Sequence, residues 1–303
     1  MKKIIIVLLF LLCNFFISLT VSGNINEVPA LQIGSEPNDQ GKPEFVYYYP
    51  QMQEIREKVN SILLCDTLMS LILSENCSLD ATEEEQESCE TLPEGWSLYP
   101  CNGTKVLEAL PHLHLSPDKI ISGYFYRTFM IGVPFLLVFD ADENPSIPEE
   151  YLTNDYEKIP PLGDLEILNY ISGDKSYESY LETSILNKMI PNHTSVFDRN
   201  TWSTHIILND QMVADANRDR GSSFEVPLID ELKSSKWNWT GDYPERFDPV
   251  IYSQNESIIV QFYTYSGLND QKIVKYTDIY PNGSYIPESE EFLIASGGGG
   301  YYY

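Results

Sequence analysis

Cys65, Cys77, Cys89 and Cys101 follow one another at intervals of 12 residues. An even set in an oxidising compartment pairs into disulfides, whereas a zinc site wants Cys-x2-4-Cys pairs, which are absent. Three pairings are open, and neighbour pairing, Cys65 with Cys77 and Cys89 with Cys101, is the expectation. His112 and His114 would share one face of a strand, but a metal there needs further ligands from elsewhere. Asp140, Asp142 and Asn144 put oxygen ligands at alternate positions, as a calcium loop does. Pro145 and Tyr151 stand where that loop wants Gly and Glu, so these three are metal candidates only, and no metal or cofactor is expected. Trp237 and Trp239 flank Asn238; such a pair stacks on a sugar ring or packs in a sheet core. The chain has no G-x-S-x-G, no H-E-x-x-H and no P-loop. A carboxylate pair could cleave glycosides, but among 45 acidic residues spacing in sequence selects none, so no catalytic residue is assigned.

The compartment these cysteines require is written at the N-terminus. Lys2 and Lys3 precede an apolar run over Ile4–Ile17, which ends in the small residues Val21, Ser22 and Gly23. This predicts a secretory signal peptide over residues 1–23, too short for a membrane span, with Cys13 lost on cleavage. No later stretch reaches spanning length, so the expected product is secreted or lumenal, with no membrane span. Six Asn-x-Ser/Thr triplets agree with that route: Asn76, Asn102, Asn192, Asn238, Asn255 and Asn282. Asn282 lies in a Pro-Asn-Gly-Ser turn signal, hence on the surface, and an extended 237–239 segment would point Asn238 away from both indoles.

The charge limits the partners. With 19 Lys and Arg against 45 Asp and Glu, the formal charge is -26 over 303 residues, and the basic residues are scattered. Binding to nucleic acid or to anionic lipid needs clustered positive charge, so neither is expected. A hydrophobic content of 43% is ample for a folded core.

Several textures run along the chain. Residues 24–50, rich in Pro and Gly, read as an irregular lead-in. Residues 51–104 read as a cysteine-containing helical cap, because apolar residues recur at helical spacing from Met52 to Leu73. Residues 105–187 read as a repeat-like β region. Leu110-x-x-Leu113-x-Leu115, Leu136-x-x-Phe139-x-Ala141 and Leu162-x-x-Leu165-x-Ile167 share one pattern at intervals of 26 residues, with Asp118, Asn144 and Tyr170 at the closing position. This stretch resembles a degenerate extracellular leucine-rich-repeat array. The cysteine segment with Trp96, Pro100 and Cys101 is similar to that family's disulfide-stapled caps. The resemblance implies parallel neighbouring strands with Leu113, Leu115, Phe139, Leu165 and Ile167 inward. No fourth copy starts near Lys188 and only one copy carries the signature Asn, so an unclassified β-rich or α+β arrangement stays open.

Residues 188–295 read as an antiparallel β-rich part, with strands over Ser257–Ser266 and Lys272–Thr277, a short run at Tyr285–Ile286, and further strands near Trp202–Leu208 and Phe224–Leu228. Residues 296–303 read as a flexible tail. The expected class is α+β and β-rich. The expected function is non-catalytic recognition or adhesion toward an extracellular protein or glycan, with a secreted carbohydrate-active hydrolase as the alternative.

Overall fold

A computed structural model describes residues 32–34, 45–62, 96–99, 103–127, 132–142, 166–192, 205–215, 226–267 and 270–298. The signal segment and Cys65, Cys77, Cys89 and Cys101 lie outside these residues, as do Asn76, Asn102, Asn144 and Leu165. The protein is mixed helix and strand, and every described strand pair is antiparallel.

The C-terminal meander is the framework. Strands β10 (Val250–Gln254), β11 (Ser257–Ser266), β12 (Lys272–Pro281) and β13 (Glu288–Gly297) pair in succession. β11 and β12 are rich in Ile, Val, Tyr and Thr, whose branched or flat side chains suit a pleated, half-buried surface. The β10–β11 hairpin closes through Asn255 and Glu256, at φ 50° and 63°, the double left-handed turn that follows strand twist. Asn282 and Gly283, at φ 51° and 73°, make the same kind of turn after β12, where Ser284 N–H donates to the Pro281 carbonyl at 2.9 Å.

The sheet grows on both sides. On one side β2 (Phe45–Tyr48) pairs with β10 and β1 (Gln32–Gly34) pairs with β2, so part of the expected irregular lead-in is sheet. On the other, β9 (Trp237–Trp239) pairs with the end of β13 at Ala295–Gly297, two residues into the segment read as a tail. β8 (Ile206–Ile207) adds to the end of β11, whereas residues 226–228 form no strand. The third run of the meander is β13 and not Tyr285–Ile286, which sit in the connection leading to it.

One face of the sheet carries Val260, Phe262, Val274, Tyr276 and Tyr280 into the larger core. Helix α1 (residues 52–62) supplies Met52 and Val59 to it, as the helical spacing predicts. Among the described residues a second core covers the far end of the opposite face, where Tyr265, Ile273 and Ala295 meet Trp237, Phe247 and Leu208. Two short helices in that part of the chain, α5 (Asp210–Ala214) and α6 (Ile229–Leu232), contribute Val213 and Leu232.

The repeat geometry is corrected by the strand pairing. Leu113 lies in β4 (Leu113–Leu115), antiparallel to β7 (Ile171–Gly173). Phe139 lies in β6 (Gly132–Asp140), antiparallel to β5 (Lys119–Arg127), whose other neighbour is β3 (Trp96–Tyr99). Ile167 lies in a helical turn, α3 (Glu166–Asn169). A Leu-x-x-Leu spacing also fits one helical turn, so the pattern alone did not fix a strand. Leu110, Leu113 and Ile167 are all buried in the larger core, but they reach it from different elements, Leu110 just after helix α2 (Gly103–Glu108). Helix α4 (Tyr177–Asn192) runs through the boundary expected at 187/188, and the segments on either side share that core.

Candidate functional site

Helix α4 is buried nearly all round, from Ser179 to Met189. A helix so enclosed must satisfy each of its polar side chains within the protein. Ser179 Oγ donates to the Ser176 carbonyl at 2.7 Å and meets the Tyr285 hydroxyl at 2.8 Å. Thr183 Oγ1 donates to the Ser179 carbonyl, and Ser184 Oγ meets the Tyr280 hydroxyl at 2.7 Å. Lys188 Nζ lies 3.4 Å from Asp278 Oδ1 on β12 and over the Tyr276 ring. Ser289 Oγ donates to the same Asp278 oxygen, and Asn187 Nδ2 donates to Ser289 Oγ at 3.2 Å.

At the start of α4 lies a cluster of titratable groups. Ser176 caps the helix, its Oγ accepting from Ser179 N–H at 3.2 Å, and Asp174 Oδ1 accepts from Ser176 N–H and Oγ at 2.9 and 2.5 Å. His112 Nδ1 lies 2.8 Å from the other Asp174 oxygen. His112 N–H donates to Glu182 Oε2 at 2.9 Å. Burial pushes the Glu182 carboxyl up to about 7, against the pull of the His112 N–H and imidazole, with Asp174 and Glu178 adding repulsion. The Ser176 hydroxyl, then His112 and the Ser176 N–H, hold Asp174 well below the usual carboxylate range. Burial disfavours the His112 imidazolium, but the Asp174 bond and the surrounding carboxylates outweigh it and raise the pKa. Lys175, at φ 65°, completes the turn and donates its N–H to the Tyr285 hydroxyl at 3.0 Å.

The expected site residues fall elsewhere. His112 precedes β4 and its imidazole is engaged by Asp174, while His114 is exposed on the strand, so the two do not form a metal pair. Asp140 pairs with Lys119 and Asp142 is exposed in the following turn. Among the described residues no group of three His, Cys, Asp or Glu is placed to hold a metal ion. Trp237 is 8% exposed and belongs to the second core, and Trp239 is half-buried with its indole N–H given to the Leu232 carbonyl at 2.9 Å. The pair therefore packs the sheet and does not present a sugar-stacking face. Asn238, between them, is exposed, as are Asn255 and Asn282, and Asn192 ends α4.

The surface feature that sequence reading missed is the edge of β13. Residues 288–293 are all exposed, with Phe292 at 53% and Leu293 at 51%. Their inner side pairs with β12 from Ile279↔Glu288 to Val274↔Leu293. Among the described residues no strand pairs with their outer side, since β9 meets β13 at Ala295–Gly297; only the Leu293 carbonyl is taken, by the Thr240 hydroxyl at 2.8 Å. Glu288, Glu290 and Phe292 point to one face, and Ser289, Glu291 and Leu293 to the other. The bulge between Ile273 and Val274 re-aims the strand where β9 joins. Ser-Glu-Glu before Phe-Leu-Ile lacks strict alternation, and that hid the strand in the sequence.

Comparison with protein-family models, curated proteins and solved structures finds no match to this chain. No helix among the described residues is long and apolar enough to cross a membrane.

Proposed function

We propose that the protein is a secreted glycoprotein acting as a non-catalytic recognition or adhesion module for an extracellular protein or glycan. The observation that carries this reading is the run of six exposed residues, Glu288–Leu293, on a regular, fully paired-from-within strand. Exposed apolar residues grouped on a rigid, charged rim are a common mark of an interaction surface. The test immobilises the purified protein against a panel of extracellular proteins and glycans. Saturable binding that is lost in a Phe292→Ser, Leu293→Ser double variant is the expected result. Turnover of a glycan without saturable binding would reject the reading.

One observation favours the hydrolase alternative. Glu182 and Asp174 have carboxyl groups pushed in opposite directions, the division of labour a glycosidase uses. Glu182 is only 2% exposed and accepts a backbone N–H, so although Asp174 is exposed, a substrate has no approach to Glu182 in this conformation. Glycan hydrolysis abolished by Glu182→Gln would revive that alternative.

A further inference from the structure

We propose that the outer edge of β13, residues Glu288–Leu293, receives an extended basic segment of a partner protein as an added β-strand. This rests on the recognition-module reading above and names the kind of partner. The Leu293 carbonyl is taken by Thr240, and Glu288–Phe292 leave about 17 Å of edge, enough for a short peptide to form a ladder. The edge is held in place before any partner arrives: β12 pairs along its whole inner side, and Ser289 is fastened to Asp278 and to Asn187 of α4. Binding therefore orders the guest and not the host.

Charge selects the guest. Glu288 and Glu290 line one face of the strand and Glu291 the other, followed by Phe292 and Leu293 on opposite faces. Lys or Arg opposite the three glutamates and apolar residues opposite Phe292 and Leu293 complement both faces. The charge of -26 favours approach of a basic partner and opposes nucleic acid or other polyanions. A second copy of this chain fits poorly. Antiparallel pairing of two copies through this edge keeps each face continuous and, centred on the edge, sets Glu290 against the second copy's Glu290 or Glu291 against its Glu291, and like charges directly opposite are destabilising. The acids and the neighbouring bulge thus bar self-pairing while leaving the edge open to a basic strand.

The test uses the full chain and three synthetic peptides. One is short, made of lysine and β-branched residues; the second replaces lysine by glutamate; the third keeps the lysines but alternates them with proline. The first should bind saturably, more weakly as salt rises, and should slow amide hydrogen exchange at residues 288–293. The other two should not bind, because one carries the wrong charge and the other lacks the backbone donors of a ladder. Glu290→Lys with Glu291→Lys should weaken the first peptide about tenfold or more, with unchanged circular dichroism and thermal unfolding. Equal binding of the proline peptide would reduce the effect to bulk charge and overturn the proposal. So would absence of binding by the lysine peptide, binding without protection at 288–293, or a dimer in light scattering that shields the edge. If these peptides fail while the panel experiment still finds a ligand sensitive to Phe292 and Leu293, strand addition fails and the recognition reading survives.

Discussion

Lys188 and Asp278 meet under the main sheet, with Nζ 3.4 Å from Oδ1, one on the central helix and the other on the middle strand of the meander. The Asp278 side chain is fully buried and that of Lys188 nearly so. Removing one partner of such a pair takes from the other charge a close counter-charge in a poorly polarisable surrounding. Asp278→Ala should therefore lower stability by about 3–5 kcal/mol. Adding Lys188→Met should recover much of that loss, because a neutral side chain of similar length no longer needs a counter-charge. Urea unfolding of the two variants checks this; a double variant no better than the single would show that the ion pair is not what the site requires.

Gly173 ends β7 against the ring of Tyr285. A Cβ at this position would stand only 2.7 Å from Tyr285 Cε1. That ring is stacked on Tyr180 at 4.9 Å and its hydroxyl is held by Lys175 N–H and Ser179, so it cannot retreat cheaply. Gly173→Ala should cost about 1–3 kcal/mol through overpacking. Gly173→Ala combined with Tyr285→Leu should cost less than the sum of the two single changes, a coupling that a double-mutant cycle measures.

The sequence showed part of this plainly. Val, Ile and Tyr over Ser257–Ser266 and Lys272–Thr277 announced the hairpin, and the turn residues Asn282 and Gly283 announced its end, because propensity and pattern agreed there. Helical spacing likewise marked residues 52–62. The central helix was missed for a physical reason: buried on all sides, it has no polar stripe, and its Ser, Thr, Glu and Lys look like surface residues until their partners are known. Asp174 and Ser176 ahead of Tyr177 were a readable cap. Nothing in one dimension joins Lys188 to Asp278, or His112 to Glu182, since each pairing depends on how the chain returns on itself.

Glu182 makes stability depend on pH. Burial holds its carboxyl at about 7 in the folded protein against an ordinary value of 4.5. Between those values the unfolded chain releases a proton that the folded chain keeps, so the contribution of Glu182 to stability falls as pH rises from about 4.5 to about 7 and is level above. The loss should be on the order of 1–3 kcal/mol. Glu182→Gln should flatten that slope while still accepting the His112 N–H. His112, whose folded-state pKa is raised, contributes in the same direction above about pH 6.5. Burial holds the His205 imidazole down to about 3 against an ordinary 6.5, which raises stability with pH below about 6.5. The wild type and Glu182→Gln are therefore compared by denaturant midpoint across the range; a difference between the two that does not change with pH would contradict the Glu182 contribution.

Asn238, Asn255 and Asn282 are exposed, the latter two in left-handed turns at one end of the main sheet and the first on β9 at the other. Expression through a secretory pathway should add glycans at these three sites. Treatment with an amidase that removes N-glycans should lower the mass and convert each occupied Asn to Asp, located by peptide mapping. Unmodified asparagine at these three and at Asn76, Asn102 and Asn192 would remove the glycoprotein part of the proposal.

The order of strands in the main sheet bears on how the chain reaches its fold. β2 is made early yet pairs with β10, some two hundred residues later, and the Gln53 side chain accepts the Ile207 N–H across 154 positions. The buried groups of α4 wait in the same way, Ser184 for Tyr280, Lys188 for Asp278 and Ser179 for Tyr285, each about a hundred residues downstream. A nascent chain emerging from the ribosome thus carries an early half whose polar helix has only water for company until the meander is complete. Closing such long loops precedes any reward from the contacts, which slows folding and lengthens exposure of apolar surface. Assembly is expected to start at the local hairpins of β10 to β13 and proceed backwards along the sequence, with the last-made strands serving as the template for the first.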